Sequence, residues 1–215
     1  MSVSFDLASS GITLALAAMS VCLSRAARRV GTLALAAILA LSGVAWVLGA
    51  ALSWRGYPLV SVLDIVFAAA LGIVVGRIVP ARFYPFLILL IVLSAFDILQ
   101  VGLSTHFRQA AQNSSLAAGD YYSTVVVKLP LGNYQLGPFD LAVIASIGEH
   151  WLRRGTGLLV PLAGVTGAIV LAYAVILSGP VTLPLIPFLL IGWIGSEIWY
   201  RRTAAHGVVP VLPQP

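Results

Sequence analysis

The chain has 215 residues, 60% of them hydrophobic and only 9% charged, with a mean hydropathy of +1.03. A soluble domain carries about 25% charged residues, so this composition excludes water as the solvent for most of the surface and points to a bilayer. The formal charge of +5 would suit nucleic acid, but the arginines stand at the ends of apolar runs, where they orient helices, and no nucleic-acid partner is expected.

The sequence reads as an all-α, polytopic transmembrane helix bundle, a single domain over residues 1–202. A spanning helix needs about 20 apolar residues, and seven apolar runs are predicted as spans. The first, 8–24, is followed by Arg25, Arg28 and Arg29 and preceded by Asp6, which predicts a retained helix and not a cleaved leader. The spans 31–53, 58–79 and 83–104 come next. The connection 105–137 is the one long loop, polar at first and then β-branched over residues 124–129. Pro130 and Gly132-Asn133 supply turn chemistry before Tyr134-Gln135-Leu136, so a short hairpin is expected there, with an irregular surface loop as the alternative. The spans 138–152, 157–178 and 183–200 complete the bundle. The tail 203–215, with three prolines, is expected to be disordered.

Charge sets the orientation. With seven alternating spans, one side receives Arg25, Arg28, Arg29, Arg77, Arg82, Arg153, Arg154, Arg201 and Arg202, and the other Arg55, Arg108 and Lys128. This bias places the N-terminus outside and the C-terminus in the cytoplasm. Eleven of the twelve basic residues are arginine, and alanine and leucine abound, which suits the cell membrane of a GC-rich prokaryote. The lone cysteine, Cys22, excludes an internal disulfide framework and a cysteine-based metal cluster.

Of seven acidic residues, Asp6 and Asp120 fall in polar segments. Glu149 and Glu197 fall near cytoplasmic helix ends beside His150, Arg153, Arg154 and Arg201, where pairing satisfies them. Asp64, Asp97 and Asp140 remain inside spans. A carboxylate at a helix centre costs about 2.5–3.5 kcal/mol even on the lenient insertion scale, so such a residue faces the bundle and marks function. Asp97 lies roughly 10 Å below the outer end of its span, and Asp140 roughly 5 Å below the end of its own, at 1.5 Å per residue. The two can share a layer, and Asp64 has similar depth. The last span opens Pro184-Leu185-Ile186-Pro187 after Gly179-Pro180. Prolines remove backbone donors, and irregular backbone at membrane depth survives only against protein or a wet cavity.

Phe96-Asp97, then Gly137-Pro138-Phe139-Asp140, then Pro184-Leu185-Ile186-Pro187 resemble the three motifs of the presenilin and signal peptide peptidase family of intramembrane aspartyl proteases. That family carries Tyr-Asp in one helix, Gly-x-Gly-Asp opening the next, and Pro-Ala-Leu opening the last. The resemblance covers about residues 83–200. Here Phe96 replaces Tyr, Phe139 replaces the second Gly, Leu185-Ile186 replaces Ala-Leu, and seven spans stand for the family's nine. A bulky Phe139 would narrow the site where glycine permits close approach.

The resemblance implies a catalytic dyad of Asp97 and Asp140, with Gly137, Phe139, Pro184, Leu185, Ile186 and Pro187 as substrate-binding residues. Its partners would be transmembrane peptide substrates and the lipid bilayer, with no metal or organic cofactor. Two carboxyls at low dielectric share one proton. The ionised aspartate then activates water, and the protonated one hydrogen-bonds the scissile carbonyl. An extended substrate would pair with the strand at 124–129 or with residues 184–187. The alternatives are a catalytically inactive binding relative disabled by Phe139, and a proton-coupled transporter or channel using Asp64, Asp97 and Asp140 as relays. A prepilin-peptidase-like enzyme fits less well, because no substantial cytoplasmic loop accompanies the motif. Substrate identity and oligomeric state are not encoded in these motifs.

Overall fold

The computed structural model describes residues 7–51, 59–103, 127–128, 135–177 and 184–205. Seven α-helices are present among them: α1 Leu7–Ala27, α2 Thr32–Ala51, α3 Leu59–Ile78, α4 Phe83–Leu103, α5 Pro138–Arg153, α6 Leu159–Leu177 and α7 Ile186–Ala205. One antiparallel pairing joins β1 Val127–Lys128 to β2 Gln135–Leu136, with Val127 opposite Leu136 and Lys128 opposite Gln135. The expected loop over 105–126 and 129–134, the Gly179-Pro180 step and the tail from residue 206 lie outside the described residues.

The bundle is wrapped around α5. Every residue from Leu141 to Leu152 is buried, and α5 packs against α1, α3, α6 and α7. Its most extensive partner is α3, and small residues explain why. A β-carbon at Gly72 would collide with the Ala142 carbonyl oxygen and lie 2.8 Å from the Ala145 Cβ, and one at Gly76 would lie 2.9 Å from the Glu149 Cβ. Gly72 and Gly76, four apart, thus bring two backbones together in the small-xxx-small manner. Gly164 on α6 and Gly192 on α7 make a second such crossing, where a Cβ on Gly164 would lie 2.9 Å from the Gly192 carbonyl oxygen. In contrast, α4 leans chiefly on α7.

Helix ends follow local chemistry. Pro138, Pro161 and Pro187 stand in first turns, where a missing N–H costs nothing. At the other end of α5, Gly155 takes φ 78°. The Gly155 N–H donates to the Leu152 carbonyl at 3.1 Å and the Thr156 N–H to the Trp151 carbonyl at 3.3 Å, a Schellman stop. The expected tail boundary at 203 is corrected, since α7 continues to Ala205 and Thr203 Oγ1 bonds the Trp199 carbonyl at 3.0 Å.

Seven spans were expected and seven helices are found. Among the described residues, whose side chains in α4 run from Phe83 to Leu99, no helix is long and apolar enough to cross a membrane. The outer surface is nevertheless apolar: Leu33 is 88% exposed and Leu41 71%, with Val44 and Val47 on α2 and Ile88 and Val92 on α4 also exposed.

Candidate active site

The buried stripe of α4 runs Phe86, Leu90, Ser94 at four-residue steps, and Asp97 continues it one turn on. Asp97 is half-buried, and its Oδ2 accepts a hydrogen bond of 3.0 Å from the Ile186 N–H. Leu185 precedes α7, and its carbonyl already accepts the Phe188 and Leu189 N–H groups at 3.0 and 3.1 Å. Its side chain has no acceptor for the free N–H groups of the first turn, so Asp97 caps α7 from another helix. The positive end of the α7 dipole favours the carboxylate there.

Asp140 stands in the first turn of α5, delivered by β2 and the extended Gly137. The Gly137 N–H donates to Asp140 Oδ2 at 2.9 Å, one half of a capping box. Gly137 has φ −73° and ψ 155°, which any residue adopts, so its glycine is about space. A β-carbon there would lie 3.2 Å from the Asp140 carboxylate and would push it aside. The charge of Asp97 acts on Asp140, so the two carboxyls lie within electrostatic reach.

The predicted substrate-contacting residues divide. Phe139 is 56% exposed and Phe96, before the other aspartate, 55% exposed. Pro184, Leu185 and Pro187 are half-buried at the entrance to α7. Ile186 is corrected: its side chain is 3% exposed within the core cluster, so only its N–H takes part in the site. Asp64 belongs to α3, and its side chain lies outside the described residues.

The far end of the bundle is a polar layer. Glu149 pairs with Arg77 at 3.3 Å, while Arg77 also donates to the Ala27 and Val30 carbonyls at 2.8 and 2.9 Å. Glu197 is held by Arg154 through Nη1 and, at 3.2 Å, through Nη2, and by Arg201 at 2.7 Å. Arg153 caps the end of α3, donating to the carbonyls of Gly76, Arg77 and Val79 at 2.8 to 2.9 Å. Arg28 does the same for the Leu152 carbonyl of α5. Above this layer His150 stacks on Phe86 at 4.0 Å and meets Trp193 edge-on at 5.6 Å, which joins α4, α5 and α7.

Sequence reasoning missed Arg77 as the partner of Glu149, because the two are distant in the chain. It also missed Ser94, a polar residue one turn before Asp97 in an apolar run. Among the described residues no group of His, Cys, Asp and Glu could hold a metal ion. Comparison with protein-family models, with curated proteins and with solved structures finds no match.

Proposed function

We propose that the protein is an intramembrane aspartyl protease related to presenilins and signal peptide peptidases, with Asp97 and Asp140 as its dyad. The observation that carries this reading is the bond from the Ile186 N–H to Asp97. It ties the first aspartate motif to the proline motif across 89 positions. Two weak motifs joined by one bond support a common site better than each supports its own. Membrane residence is part of the proposal, with the N-terminus outside a prokaryotic cell membrane. Its support is the apolar outer surface of α2 and α4 and the polar, arginine-rich layer at one end.

In this reading one carboxyl is ionised and draws a proton from water while the other donates a hydrogen bond to the scissile carbonyl oxygen. The substrate helix must unwind first, because its carbonyls are otherwise occupied. The non-helical Pro184 offers its carbonyl to an extended strand. Phe96 and Phe139, each next in sequence to one of the aspartates, are exposed.

The test is cleavage of a panel of single-span peptides by protein reconstituted in lipid vesicles. Activity should be blocked by an aspartyl-protease transition-state analogue and lost in both Asp97→Asn and Asp140→Asn. Substantial cleavage by either variant contradicts the dyad. A second reading has one observation in its favour: both aspartates already work as helix caps. An inactive binding relative would keep those caps and cleave nothing.

A further inference from the structure

Among the described residues six buried serines lie in the helices, and five of them bond a backbone carbonyl. Ser20 bonds Leu16 at 3.0 Å, Ser24 bonds Ala145 at 2.9 Å, and Ser42 bonds Ile38 at 2.7 Å. Ser146 bonds Val143 at 2.8 Å and Ser196 bonds Val160 at 3.4 Å. This is the habit of a serine in an apolar bundle, where the hydroxyl has few other partners. Ser94 departs from it. It is 5% exposed, yet among the described residues its Oγ has no hydrogen-bond partner and does not turn back to its own helix. A buried hydroxyl left without a partner is costly, and such a group calls for an explanation.

Its position supplies one. Ser94 and Asp97 are three residues apart on α4, so their β-carbons are about 5–6 Å from each other on one face. Asp97 has one oxygen engaged by the Ile186 N–H, which leaves Oδ1 for a second partner. A buried water needs at least two polar partners, and the Ser94 hydroxyl with the free carboxyl oxygen provides them. We infer that Ser94 is a positioning residue for Asp97, acting through one water that joins its hydroxyl to the carboxyl oxygen Ile186 does not hold. The inference rests on reading Asp97 and Asp140 as the dyad. With one oxygen fixed by α7 and the other by Ser94, the carboxyl plane is set from both sides. A dyad needs that orientation to aim a lone pair or a proton at the scissile bond.

The experiment compares wild type, Ser94→Ala and Ser94→Thr as the full chain in vesicles with a single-span peptide substrate. It adds the infrared carboxyl band of Asp97, assigned by subtracting the Asp97→Asn spectrum. Ser94→Ala should lower kcat about tenfold with KM unchanged, the signature of misorientation. It should also shift the Asp97 band, and Ser94→Thr, which keeps the hydroxyl, should restore both. A hydroxyl that is merely unsatisfied would give the reverse: Ser94→Ala as active as wild type, no less stable, with the band unmoved. That result overturns the inference. Should wild type cleave nothing, the dyad reading fails, and the band alone then decides whether Ser94 and Asp97 share a water.

Discussion

Leu185 occupies the position before α7 where serine, threonine or aspartate would ordinarily accept the first free N–H groups, and its side chain cannot. Asp97 takes over that work, so its replacement has two separable consequences. Asparagine keeps an acceptor oxygen and should leave the fold intact, while alanine removes the cap and should cost about 1 kcal/mol. Both should abolish cleavage, because the proposed dyad would act as one unit, and the Asp97→Asn/Asp140→Asn double variant should lose no more than either single one. Unfolding midpoints measured beside cleavage rates separate the two roles, and equal midpoints for the asparagine and alanine variants would refute the capping role. Phe139 poses the opposite question. Its ring stands 56% exposed before Asp140, and the Gly137 N–H holds that carboxylate without it. Phe139→Gly should therefore leave cleavage intact or raise it, and a loss would mean that the ring itself contacts substrate.

At the scale of elements, glycine decides which helices touch. Gly72 lets α3 approach α5 until a single methyl would collide with the Ala142 carbonyl, and Gly167 on α6 has nothing within 4 Å of its would-be β-carbon. Gly72→Ala should destabilise the bundle by roughly 1–3 kcal/mol through overpacking. Gly167→Ala should instead stabilise it by roughly 0.5–1 kcal/mol, because alanine is the better helix former. Thermal unfolding of the pair checks the sign at each site, and destabilisation at both would show that the α3–α5 crossing is not special. Much of this level was legible from residue order. Seven helices and the pairing of residues 127–128 with 135–136 come from local pattern, whereas Pro187, read as part of an irregular opening, stands in the first turn of α7. The central place of α5 was not legible, because with Asp140, Glu149, His150 and Arg153 in its 16 residues it is less apolar than the helices that surround it. Nor was the Asp97–Ile186 bond, since the order of motifs places two segments in one neighbourhood without saying which atoms meet. Ser94 was invisible for a related reason: an intramembrane serine usually bonds its own helix, and only the packed bundle reveals one that does not.

For the whole molecule, the arginines carry two meanings that sequence alone merges. Arg28, Arg77, Arg153, Arg154 and Arg201 close helix ends or neutralise Glu149 and Glu197. Arg25, Arg29, Arg82 and Arg202 are exposed with no partner among the described residues. The first set holds the bundle, and under the proposed membrane residence the second would fix its sidedness. Because these arginines gather at the end of the bundle away from Asp97 and Ile186, the positive-inside rule would put the dyad in the outer half of the bilayer. Orientation then constrains the substrate. A peptide strand has a direction, and one that enters backwards presents its carbonyls and amides out of register with both the dyad and residues 184–187. The resemblance to signal peptide peptidases implies substrate helices with their N-termini in the cytoplasm. If the proposed activity holds, one apolar segment, cloned in both orientations beside this chain, should be cut only in the N-in form. Cleavage confined to the N-out form, or a C-terminal tag on this chain accessible from outside the cell, would reverse the topology. Replacing Arg25, Arg29, Arg82 and Arg202 together by glutamine should scramble that preference at little cost to the bundle, whereas Arg153→Gln, which uncaps α3, should weaken the fold and leave the direction of cutting unchanged.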